Sequence, residues 1–223
     1  KFLLPVLMLT CCLSTNAFAG NPVHISNTGL DPQISARIAA FINDNMTKWR
    51  IPGLAVGIVQ DDTLVWSGYF GYAHIKRQIP VSQTTIFRVG SISKIFTAVA
   101  MMQLLEKGKF AVDAPIDEFL PFTVFKQKYD CCPKPAFIDI FTHTSGGGEF
   151  RSFRPESMAL PAGAQRRNLE ELYEPGILTR ICPGEKWSYC NYCIGALGLS
   201  LETMTGESFQ YYTDRHIFEP LEM

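Results

Sequence analysis

The stretch that most constrains this chain runs from Phe87 to Gly108. A glycine turn at Gly90 leads into an apolar run from Ile92 to Leu105, and Gly108 stands where a helix end takes a left-handed residue. The spacing predicts one helix, apolar almost all round and therefore buried. Ser91, Ser93 and Lys94 occupy its first turn. Ser91 and Lys94 are three apart, so they share a face and can touch. The positive end of the helix dipole and the loss of water both disfavour charge on this lysine. Its amine is expected to accept a proton, and the Ser91 hydroxyl is the neighbour able to supply one. The dipole also favours a serine alkoxide, and the free amides of the first turn can bind an oxyanion. Serine, lysine and helix N-terminus together make a nucleophile with its own base. The ordinary alternative is an N-cap serine beside a snorkelling surface lysine.

With 223 residues the chain suffices for one large domain or two small ones. A net charge of −1 gives no basis for nucleic acid or an anionic membrane as partner. Lys1, the apolar run from Phe2 to Leu13, and Ala17-Phe18-Ala19 before Gly20 read as a cleavable signal peptide over 1–19. The run is too short to span a membrane, and no later stretch is long enough either. Export to the periplasm or the exterior is the expectation. Beyond it lie Cys131, Cys132, Cys182, Cys190 and Cys193. Export permits disulfides, but these five do not form a spaced framework. Cys190 and Cys193 match the Cys-x-x-Cys of zinc and redox sites. A second ligand pair is missing, so no metal and no cofactor is expected, and small buried thiols are the simpler account.

Asp31-Pro32 starts a helix, and Ile34, Ile38, Phe41, Ile42, Met46 and Trp49 recur at helical spacing until Ile51-Pro52-Gly53. Leu54–Gln60, a turn at Asp61-Asp62, and Thr63–Phe70 read as a hairpin that Tyr72–Ile75 extends. Residues 79–85 read as a polar connection. After Gly108, prolines punctuate short helices at 136–142 and 168–173. A second apolar helix runs from Ile194 to Gly206, where Gly195 and Gly198 suggest a close neighbour. A last helix covers 208–218. The expected architecture is α/β: an α/β part over 31–108 with the catalytic helix, and a mostly helical part over 109–223.

These pieces together resemble a known family. Phe87-Arg88-Val89-Gly90-Ser91-Ile92-Ser93-Lys94 is similar to the first motif of the serine β-lactamase and penicillin-binding-protein superfamily. Phe141-Thr142-His143-Thr144-Ser145-Gly146-Gly147 resembles the "LTHTSG" segment of its class C-like branch. The run from Pro183 through Tyr189-Cys190-Asn191 resembles that branch's Pro-Gly…Tyr-x-Asn motif, and Ile217-Phe218-Glu219-Pro220-Leu221 its "IFxPLGM" segment. The resemblance implies a β-lactamase/transpeptidase-like fold, an antiparallel sheet flanked by helices with an inserted helical subdomain, over 20–223.

It also implies roles. Ser91 attacks a carbonyl and forms an acyl-enzyme, Lys94 takes or relays its proton, and Tyr189 is the second acid/base group. Asn191 orients Lys94 and binds substrate; its alternative is the N-cap of the next helix. The Ser91 amide is half of an oxyanion hole. The substrates implied are β-lactams, D-Ala-D-Ala or other peptidoglycan-derived peptides, or small esters. An esterase or D-aminopeptidase on this scaffold, or a non-catalytic penicillin- or peptidoglycan-binding or structural relative, are the competing readings. His143 reads as turn-fixing, and Glu149 and Glu185 as solvated charges.

Two departures stand out. Cys190 occupies a place that the family gives to Ser or Ala, where a bond to Cys193 or Cys182 would distort the site. No Lys-Thr-Gly or His-x-Gly follows Tyr189. The expectation is a fragment whose C-terminal strands are absent, whose sheet is incomplete with an unpaired hairpin edge, and which is inactive or nearly so.

Overall fold

The computed structural model of the protein describes residues 22–148 and 168–223. The signal-peptide reading over 1–19, Glu149, Pro155 and Pro161 lie outside the described residues. The chain divides into two compact units, one ending at Val89 and one from Gly90 to Met223. The boundary falls before the helix that carries Lys94. That helix groups with the C-terminal elements and not, as the sequence predicts, with the helix and hairpin before it.

The first unit contains β1 (Val23–Asn27), α1 (Pro32–Trp49), β2 (Gly53–Gln60), β3 (Thr63–His74) and β4 (Ile79–Pro80). Asp31 caps α1 by accepting from the Gln33 and Ile34 amides, Pro32 sits at the first helical position, and Arg50 ends it in the left-handed region. The sheet is antiparallel in the order β1-β3-β2, with β4 pairing the far end of β3. Asp61 and Asp62 both have positive φ, the mirror-image turn a two-residue hairpin requires. Two expectations change here. β1 is an addition to the expected elements, and it makes β3 a central strand, so of the two hairpin strands β2 is the one at a sheet end among the described residues. Ile79–Pro80 pairs with β3 although 79–85 reads as a connection. Trp66 and Phe70 alternate inward from β3 onto Ile42 and Met46 of α1. Trp66 Nε1–H donates to the buried Ser35 Oγ at 2.9 Å, which accounts for a serine on the apolar face of α1.

The second unit begins with a 3₁₀ turn at Gly90–Ile92 and α2 (Ser93–Glu106). A 3₁₀ turn (Ile116–Phe119), β5 (Phe125–Gln127), α3 (Phe137–Phe141), α4 (Leu169–Tyr173), β6 (Ile177–Thr179), α5 (Asn191–Thr205) and α6 (Phe209–Thr213) come next, with a π turn over Asp214–Phe218. α5 is its centre. From Ile194 to Leu201 only Gly195 escapes full burial. α2 packs on α5 through Ala100, Met101 and Leu104.

The expectation that α2 is buried all round is not met. Ile95, Val99 and Met102, spaced i, i+4, i+7, are exposed, Ile95 at 59%. A helix with two apolar faces announces burial of both, while α5, a packing neighbour of its own length, covers one. β5 and β6 form a short parallel pair that short, proline-flanked segments do not signal. Gly147 bridges to Thr179 beside it, so the Ser145–Gly147 segment is fixed against this pair.

Candidate active site

Gly90 adopts φ 55°, a conformation that costs glycine little, and turns the chain into the 3₁₀ turn that holds Ser91. The N-cap of α2 is Ile92 and makes no side-chain cap. Ser91 is therefore not the capping serine of the ordinary alternative. One turn on, Lys94 reaches back and its Nζ donates to Ser91 Oγ at 3.2 Å. Ser91 is exposed and Lys94 half-buried, so the pair is wetter than a wholly buried helix predicts.

The other two side chains come from the start of α5. The loop before it is tied to the turn after α3: the Gly184 amide donates to the Thr144 carbonyl at 2.9 Å and the Ser188 amide to the His143 carbonyl at 2.7 Å. Tyr189 then projects its hydroxyl to Ser91 Oγ at 2.8 Å. Asn191 is the first residue of α5, and its Oδ1 accepts from Lys94 Nζ. Lys94 Nζ also lies 4.9 Å from the centre of the Tyr189 ring, within cation–π range. The N-cap of α5 is Cys190, whose Sγ accepts from the Cys193 amide, so the capping alternative for Asn191 is not realised. Since Lys94 and Asn191 each sit in the first turn of their helix, two positive helix ends converge on Ser91. A serine oxygen facing an amine and a phenol, at the mouths of two helices, can lose its proton to a neighbour and hold negative charge. All four residues singled out in the sequence are thus brought together.

The cysteines differ from the expectation. Cys132–Cys182 and Cys190–Cys193 are disulfides, and Cys131 is the free, exposed thiol among the described residues. The account of small buried thiols fails for four of the five. The signal is the Cys-x-x-Cys spacing at a helix start, where one helical turn brings the sulfurs within bonding reach. The Cys190–Cys193 bridge does not distort the site, because Tyr189 and Asn191 on either side of Cys190 both reach it. No cluster of metal-ligating side chains occurs among the described residues. Glu185 is exposed. His143 does more than fix a turn: its Nδ1 accepts from the Cys190 amide at 3.2 Å and its ring lies on that of Tyr189. No described helix is long and apolar enough to cross a membrane.

Comparison with known proteins gives a consistent picture. The Beta-lactamase family model matches residues 38–223. A "Beta-lactamase" of Yersinia enterocolitica is 28% identical over 191 residues, covering 84% of this chain and 46% of that protein. "Esterase EstB" of Burkholderia gladioli is 24% identical over 200 residues, covering 85% of this chain and 50% of that protein. Among solved structures, an octameric penicillin-binding protein homologue from Pyrococcus abyssi superposes with a TM-score of 0.68 at 27% identity, covering 85% of this chain and 43% of that one. The chain spans about half the length of the curated relatives it matches.

Proposed function

The chain belongs to the Beta-lactamase family, and from that premise we propose that its site performs serine acylation on β-lactam, D-Ala-D-Ala peptide or small ester carbonyls. The carrying observation is the convergence of Lys94 Nζ and the Tyr189 hydroxyl on Ser91 Oγ. In this reading Ser91 Oγ forms a bond to the carbonyl carbon while its proton passes to the Lys94–Tyr189 pair. The Ser91 amide, at the positive end of α2, receives the oxyanion. Collapse of that intermediate breaks the carbonyl–nitrogen bond of a lactam or peptide, or the carbonyl–oxygen bond of an ester. Tyr189 returns the proton to the leaving group, and water later releases the acyl group. Asn191 holds Lys94 in place and presents its amide to substrate.

The similarity to an esterase supports ester carbonyls as a second substrate class. Ser91 is exposed, which suits small, unspecialised acyl donors. The residues at 1–19 support an exported protein. No Lys-Thr-Gly or His-x-Gly follows Tyr189 in the 223 residues, and the reading is that these residues by themselves acylate faster than they turn over.

The test separates acylation from turnover. The purified 223-residue chain is treated with a fluorescent penicillin and, separately, with p-nitrophenyl acetate, and adducts are mapped by mass spectrometry. A stoichiometric adduct on Ser91, lost in Ser91→Ala, is the expected result. Adducts elsewhere, or none, favour a binding or structural role instead.

A further inference from the structure

His143 lays its ring on that of Tyr189 and holds the backbone on both sides of that residue. Its carbonyl accepts the Ser188 amide at 2.7 Å, and its Nδ1 accepts the Cys190 amide at 3.2 Å. Its ring centroid lies 4.4 Å from that of Tyr189, with the planes 39° apart. Trp187 meets the same imidazole edge-on at 6.2 Å. One residue therefore tethers position 188, position 190 and the phenol between them.

We propose that His143 is a positioning residue for Tyr189, acting as a neutral imidazole with its proton on Nε2. The inference rests on the acylation reading of Ser91. The tautomer is set by the hydrogen bond: an amide N–H aimed at Nδ1 requires a lone pair there, so a neutral ring carries its hydrogen on Nε2. The backbone is committed too. His143 has φ 59°, a conformation that few side chains adopt and that Asn and His tolerate best. The Cys190 amide precedes the first helical residue of α5, so it takes no part in the helix ladder, and the imidazole is the acceptor that satisfies it. Without that acceptor the chain at Cys190 is free to rotate, and the Tyr189 hydroxyl leaves its 2.8 Å contact with Ser91. The requirement is for a hydrogen-bond acceptor at the Nδ1 position, not for a proton carrier.

Three variants of the full 223-residue chain separate these demands. In His143→Asn, Oδ1 takes the place of Nδ1, and the left-handed backbone is tolerated. In His143→Phe the ring on Tyr189 is kept and the acceptor is lost. His143→Ala has neither. Acylation of Ser91 by p-nitrophenyl acetate is followed by mass spectrometry, and thermal melting is recorded for each variant. Acylation by the Asn variant is expected within about threefold of wild type, and by the Phe and Ala variants at least tenfold slower. A Phe variant that melts with the Asn variant yet acylates tenfold slower supports positioning. Equal rates for the Phe variant and wild type overturn it, as does an Asn variant as slow as Phe.

Long-range 1H–15N correlation at pH 7.5 supplies a readout independent of activity. It should show the imidazole signal that disappears in the variants as Nε2-protonated; a proton on Nδ1 overturns the proposal. If wild type forms no Ser91 adduct, the acylation reading fails on its own. The 13Cζ shift of Tyr189 then decides, moving in His143→Phe and staying in His143→Asn if the tether holds the phenol.

Discussion

The residues of the site are legible because each carries its chemistry in its spacing. Ser91 and Lys94 are one helical turn apart, so their contact is local and needs only a helix. Tyr189 and Asn191 lie 98 and 97 positions away from their partners, and only motif order points to them. The Cys132–Cys182 pair is not legible, since its pairing depends on where the loops end, whereas Cys190–Cys193 has a local signal in its spacing. Gly195 is a residue whose meaning the sequence half reveals. Its place three before Gly198 suggests a close neighbour, and the neighbour is Tyr173 of α4. A Cβ on Gly195 would stand 2.1 Å from the Tyr173 hydroxyl, which donates to the Tyr192 carbonyl at 2.7 Å. Burial keeps that phenol protonated by pushing its pKa well up. At Gly198 a Cβ would meet ordinary contacts, so only Gly195 is tightly constrained. Gly195→Ala gains up to about 1 kcal/mol of helix propensity but displaces a buried hydrogen-bonded hydroxyl. The net expectation is a loss of roughly 1–3 kcal/mol. Tyr173→Phe removes the colliding oxygen, so the double variant should be more stable than the two single losses sum to. Urea unfolding of the four proteins measures the coupling, and strict additivity would show that the contact is not what constrains Gly195.

At the scale of elements, periodicity locates helices well and their environments less well. α1 begins and ends at its predicted signals, whereas α2 has the apolar pattern of a buried helix and covers only part of it. The 3₁₀ turn at Ile116–Phe119 has no periodic signal, is closed by backbone hydrogen bonds such as that from the Ile116 amide to the Pro135 carbonyl, and carries a carboxylate that ties it to the next strand. Asp117 Oδ1 accepts the Val124 and Phe125 amides at 3.1 and 3.2 Å, which fixes the entry to β5. Its Oδ2 makes no hydrogen bond among the described residues and faces Lys134 Nζ at 4.0 Å. Burial raises the carboxyl pKa above its ordinary 3.8, against the amides and Lys134, which lower it. The folded chain therefore keeps this proton at a pH where the unfolded chain has released it. Its stabilising contribution is complete below 3.8 and is lost as pH rises through the raised folded value. Asp117→Asn keeps the Oδ1 acceptor and cannot ionise. Its stability relative to wild type should improve as pH rises from about 3.5 toward about 7, while Asp117→Ala, which strands two amides, should lose on the order of 2 kcal/mol. Urea midpoints across that range test both, and a constant wild type–Asn difference would contradict the raised pKa.

At the largest scale, two hydrophobic cores and two disulfides hold the described residues. The helix and hairpin of the first unit are legible from alternation, but β1 is not, because a five-residue strand before a turn has too little pattern to stand out. In the second unit the staples lie where regular structure is thinnest. β5 and β6 are three-residue parallel strands, and the chain beyond each leads to a cysteine of the Cys132–Cys182 pair. That bond spans 50 residues, so it removes loop-closure entropy from the unfolded chain worth about 4 kcal/mol, against about 2 kcal/mol for Cys190–Cys193, three residues apart. Cys182 also opens the loop that carries Tyr189, so the longer staple supports the site as well as the short strands. Removing it by Cys132→Ser with Cys182→Ser should lower the melting point by roughly 10 °C for a chain of this size. Iodoacetamide on the native protein should modify Cys131 and spare Cys132, Cys182, Cys190 and Cys193 until a dithiol reductant is added. Peptide mapping reads the pattern directly. Modification of Cys132 without reductant, together with an unchanged melting point in the double serine variant, would mean that the strand ends are held by packing alone.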